Sequence, residues 1–90
     1  MTEPEIHDLT RQLFSEALKQ FGFEDVDVRI GVDADGDEFL DIAAHYGARG
    51  RLPTPQASIS ATSLLRQALL ARGEERFPNV LHIGSVADVA

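Results

Sequence analysis

Fifteen carboxylates and three histidines are the side chains with which this 90-residue chain would most readily do chemistry. The carboxylates crowd at Asp33, Asp35, Asp37 and Glu38. A helix–loop–helix calcium site wants oxygen ligands at its first, third and fifth positions and glycine at its sixth. Counted from Asp33, Gly36 falls at the fourth position, so the run is expected to be a solvated turn. The histidines are His7, His45 and His82. Were His45 and His82 to share a sheet face, Asp41 would complete a three-ligand set for zinc. Structural zinc sites in small domains rest on cysteine, however, and the chain has none. His82, Ser85 and Asp88 supply the residue types of a nucleophilic triad, close in sequence but without a nucleophile elbow. No catalytic residue, metal ligand or cofactor site is expected.

A different chemistry is suggested by Gly47-Ala48-Arg49-Gly50, followed by Arg51. A GxxG loop lets a nucleic-acid backbone approach the main chain closely. With the element order set out below, this segment resembles the core of a type II KH domain, or of the KH-like ribosome-binding factors. The resemblance implies an RNA-binding module in which Gly47, Arg49 and Gly50, with Arg51 beside them, form the anion or nucleic-acid loop. The charge balance points the other way. The net charge is −7, whereas nucleic-acid binders carry a basic face. Arg49, Arg51, Arg72 and Arg76 would neutralise only a few phosphates, each contributing a salt slope of roughly −0.7 on a single strand.

These residues must be held by a small scaffold. A chain of this length supports one core, burying roughly 60–65% of its unfolded surface. The first helix is announced by Thr2 and Glu5 at capping-box spacing, with Pro4 in the first turn. Its apolar stripe is Ile6, Leu9, Leu13, Phe14, Ala17, Leu18 and Phe21, and Gly22 is placed to cap its end. Val26, Val28, Ile30 and Val32 then alternate with polar residues, as do Leu40, Ile42, Ala44 and Tyr46, which predicts a hairpin with one buried face. Coincident apolar faces favour pairing Val32 with Leu40, Ile30 with Ile42 and Val28 with Ala44, around the loop Asp35-Gly36-Asp37. Phe39 breaks the pattern and is expected on the polar face or in a bulge.

Residues 47–58 carry two glycines and two prolines and are expected to be a long loop. A second helix is expected from Ile59 or Ser60 to Arg72, capped by Ser58 or Ser60, with Ala61, Leu64, Leu65, Ala68 and Leu69 inward and Gly73 ending it. Val80 to Ile83 is a short third strand, parallel to the second by a right-handed crossover and placed beside the first. The expected fold is a single α+β domain over residues 1–90. It is a two-layer sandwich of order α-β-β-α-β, with two helices on one face of a three-stranded sheet and a fraying tail at 84–90.

No apolar run approaches the about 20 residues of a membrane span, and the acidic N-terminus is unlike a secretory signal. A cytoplasmic protein of bacterial type is expected. The face opposite the helices would carry Phe39, Asp41 and His45, an open mixed surface suited to a protein partner or to self-association as a homodimer. The leading expectation is a non-enzymatic protein–protein interaction or adaptor module. The KH-like reading is the alternative, and a small enzyme built on carboxylate or histidine a third.

Overall fold

The computed structural model describes residues 1–47 and 51–84. Helix α1 spans Glu3–Ala17. Its capping box is closed in both directions: the Glu5 N–H donates to Thr2 Oγ1 at 3.3 Å and the Thr2 N–H to Glu5 Oε1 at 2.8 Å. A 3₁₀ turn at Lys19–Phe21 follows, and Gly22, at φ 79°, reverses the chain where a side chain would be strained.

Strands β1 (Phe23–Val32) and β2 (Glu38–Tyr46) form the antiparallel hairpin. Their faces are as expected, but the register is shifted by two residues. Ile30 pairs with Leu40, Val28 with Ile42 and Val26 with Ala44. The cause is Asp33, whose carboxylate accepts the N–H groups of Asp35 and Asp37, both at 2.9 Å. Its main chain closes the turn as well, accepting from Gly36 at 3.1 Å. Gly36, at φ 85°, supplies the left-handed residue that a three-residue hairpin loop needs. The loop is therefore Ala34-Asp35-Gly36.

Helix α2 spans Pro55–Ala71, so it begins four residues before Ile59. Thr54 caps it, accepting the Ala57 N–H at 3.2 Å, and Pro55 occupies the first turn. The expected caps, Ser58 and Ser60, lie inside the helix. Gly73, at φ 82°, follows its end.

Strand β3 (Pro78–Ile83) lies parallel to β2, and the sheet order is β1-β2-β3. The expected place beside β1 is thus corrected: β3 flanks β2. As the central strand β2 has all four inward residues buried, while β1 is left at the outer edge with Asp25, Asp27 and Arg29. Both helices cover one sheet face. The core joins Ile6, Phe14 and Leu18 of the first helical segment, Leu65 and Leu69 of α2, and Leu40 and Ile42 of β2. Leu64, expected inward, is exposed.

Candidate functional site

Three polar constellations and one surface organise the chemistry of the fold. On the open face, β1 and β2 set Asp27 beside Ala43, Arg29 beside Asp41 and Gly31 beside Phe39. On the other side of β2, Asn79, Leu81 and Ile83 extend these rows. Phe39 lies on this face and not in a bulge; the one irregularity of the ladder is at Phe23/Asp25. Its ring lies over Gly31, where an added Cβ would come within 2.6 Å of the ring. Glycine there leaves a gap in the sheet surface, and the aromatic ring fills it. His45 Nε2 is 2.8 Å from Asp27 Oδ2. The face thus divides: Asp27, Arg29 and Asp41 carry charge over β1 and β2, while β3 adds Asn79, Leu81 and Ile83, which carry none.

On the covered face, His82 links strand and helix. Its Nδ1 is 2.7 Å from the Tyr46 hydroxyl, and its Nε2 bonds the Ser58 hydroxyl in α2. Burial pushes the Tyr46 phenol up to about 12 and pushes the His82 imidazole below its ordinary 6.5. The phenol therefore keeps its proton, and the imidazole, with one ring nitrogen on each hydroxyl, ties Tyr46 of β2 to Ser58 of α2. Sequence alone does not bring this trio together, because Ser58 reads as the end of a loop. His82 alternating with Leu81 and Ile83 was the available signal.

The third constellation closes the far end of the domain. Glu74 is 5% exposed. The Arg76 guanidinium grips it from Nε at 2.8 Å and Nη2 at 3.0 Å, and also lies 3.5 Å from Glu38. The hydrogen bonds from Arg76 hold the Glu74 carboxyl down at about 2. Arg76 is consequently committed to structure. Arg66 of α2 stacks over Phe77, 4.8 Å from the ring centroid.

Of the loop at 47–51, Ala48, Arg49 and Gly50 lie outside the described residues, as does the tail from Ser85 within the expected frayed segment 84–90. Gly47 and Arg51 border an open cleft of about 1170 Å³ between the 3₁₀ turn and the start of α2, with Lys19 and Glu24 also on its wall. His45 points to the open face and His82 to the covered one, so the two do not converge on Asp41. Among the described residues no group of three histidine or acidic side chains is arranged to hold a metal ion. No described helix is long and apolar enough to cross a membrane.

The surface is the outer edge of β3. The Leu40 N–H donates to the Phe77 carbonyl at 2.9 Å. Strand alternation then turns the main-chain groups of Asn79, Leu81 and Ile83 toward β2 and those of Val80 and His82 outward. Ser58 and Arg66 of α2 reach His82 and Phe77, so that flank of the helix runs along the same edge. Ile59 and Leu70 continue it, both exposed. Leu81 and Phe77, 61% and 57% exposed, complete an apolar border on both sides of the strand, whose outer edge no described strand pairs. The sequence matches no protein-family model, and neither a curated protein nor a solved structure proved similar to it.

Proposed function

We propose that the chain is a protein-interaction module that works by contact rather than by turnover, using the edge of β3 and its apolar borders. The contrast between the two sheet edges carries this reading. The β1 edge is guarded in the usual ways, by Glu24, Asp25, Asp27 and Arg29 and by an irregularity at its start. The β3 edge has no charge in Pro78–Ile83 and no bulge, and exposed Ile59, Phe77 and Leu81 flank it. An unguarded strand bordered by apolar side chains is a template for strand addition, main-chain hydrogen bonds giving affinity and flanking side chains specificity. The divided open face, with Phe39, Asp41 and His45 on its β1–β2 side, would border such a contact.

The test is recovery of the tagged chain from its native cells, with and without nuclease. A bound protein that survives nuclease and is lost on Leu81→Lys supports the reading. Bound RNA, lost when Arg49 and Arg51 are changed to glutamate, would replace it with the KH-like one.

A further inference from the structure

We infer that the occupant of the β3 edge is a second copy of this chain, paired antiparallel about Leu81 to make one six-stranded sheet; this rests on the interaction reading above and names the partner. The distribution of charge selects the copy. The chain as a whole carries −7, yet it has no Asp or Glu from Leu52 through Gly73, nor in Pro78–Ile83. That stretch includes all of α2 and β3. The acids gather instead on β1 and its hairpin: Glu24, Asp25, Asp27, Asp33, Asp35 and Asp37. A basic partner would be drawn there, away from β3. Pro78–Ile83 itself carries no Asp, Glu, Lys or Arg, with Arg66 the nearby cation held over Phe77, and a two-fold axis supplies a matching apolar strand by identity. The order β1-β2-β3-β3-β2-β1 puts the two acidic edges at opposite ends, about 24 Å apart at about 4.8 Å per strand. That exceeds the Debye length of about 8 Å at physiological salt.

The main chain fixes the register. Val80 and His82 present their N–H and C=O groups outward, and Pro78, which also faces outward, has no N–H to give. Centring the pair on Leu81 sets Val80 opposite His82 of the copy, twice, with every N–H and C=O of the four residues bonded. It sets Pro78 opposite Gly84, where the proline carbonyl accepts and the missing proline N–H falls opposite the Gly84 carbonyl, beyond the end of the strand and open to water. Centring on Val80 would instead oppose His82 to Pro78 and leave a His82 carbonyl without a donor. In the favoured register the two Leu81 residues form a non-hydrogen-bonded pair, with Cα atoms about 4.5 Å apart.

Sedimentation equilibrium and cysteine cross-linking test this, and a chain without cysteine suits the second method. The wild type is expected to be a dimer. Leu81→Lys and Ile59→Lys, both at exposed positions, should give folded monomers by far-UV circular dichroism. Leu81→Cys should cross-link nearly completely under a mild thiol oxidant, since about 4.5 Å is within disulfide reach. Val32→Cys, on the 64%-exposed end of the hairpin, should not. A wild type monomeric up to its solubility limit overturns the second copy. If that monomer still holds a nuclease-resistant partner lost on Leu81→Lys, the interaction reading survives it. A dimer untouched by Leu81→Lys and Ile59→Lys, or cross-linked through Val32→Cys alone, overturns the β3 edge itself and the interaction reading with it.

Discussion

Glu74 shows how a single carboxylate holds this domain closed. It sits just past α2, buried, with Arg76 bonded to both of its oxygens. Removing one partner of a buried pair costs more than the pair contributes, because the other is left unpaired. Glu74→Ala should therefore destabilise the fold by about 3 kcal/mol in urea titrations at neutral pH. The sign of the acid dependence follows from the depressed pKa. The folded carboxyl titrates at about 2 and the unfolded one at its ordinary 4.5. The stabilisation is complete above the unfolded value and is lost as pH falls from there through about 2. The penalty of Glu74→Ala should shrink across that window, and a penalty equal at pH 7 and pH 3 would contradict it.

His82 behaves similarly in a higher window. Its folded pKa lies below 6.5 because burial disfavours the imidazolium. As pH falls below 6.5 the unfolded chain takes up a proton that the folded chain resists, so stability declines. Replacing His82 by glutamine should cost about 1–3 kcal/mol at pH 7.5, from the buried Tyr46 hydroxyl left unbonded. It should cost less at pH 5.5, where the wild type is already weakened. Urea midpoints of both proteins at the two pH values decide it.

At the scale of elements, the start of α1 was legible to the residue because its signals are local, a cap and a box within one turn of where they act; its end was not, since the stripe runs on to Phe21 while the helix stops at Ala17 and Gly22 closes the 3₁₀ turn that follows. Helix α2 was legible only from its middle. Thr54-Pro55 is as good a start signal as Thr2, but it stands beside a second proline at Pro53, and two prolines so close read as loop. Thr54→Ala should lower stability by about 1 kcal/mol, as the loss of a cap does. Ser60→Ala, at the start expected from sequence, should stay within about 0.5 kcal/mol. Thermal melts of the two variants separate the alternatives. The hairpin faces were legible because parity decides burial, while the register was not, since a shift by two residues preserves parity. What set it was the Asp33 carboxylate folding back on Asp35 and Asp37. The sheet order was open for a related reason. A right-handed crossover fixes that β3 runs parallel to β2, but not beside which strand. The candidate site was the least legible part. The residues named for it, Phe39, Asp41 and His45, are on the open face as expected, but the edge that distinguishes this sheet depends on β3 flanking β2, which no local signal carries.

For the whole molecule, the consequence is an uneven distribution of charge and of greasy surface. A domain of this size has little stability to spare, and a contact that buries Ile59, Phe77 and Leu81 would add to it. Such a gain follows mass action: association that favours only the folded chain raises the melting temperature with protein concentration. On the two-fold β3 reading, the wild type should melt several degrees higher at high concentration than at hundredfold dilution. Leu81→Lys should melt at one temperature throughout, because it folds without the contact. Val32→Lys should follow the wild type, since it alters the hairpin end of β1. A concentration dependence that persists in Leu81→Lys would assign the added stability to another surface. A melting temperature constant in the wild type would leave the apolar border of β3 outside any self-contact, and would turn its exposed leucine and phenylalanine toward a partner of different sequence.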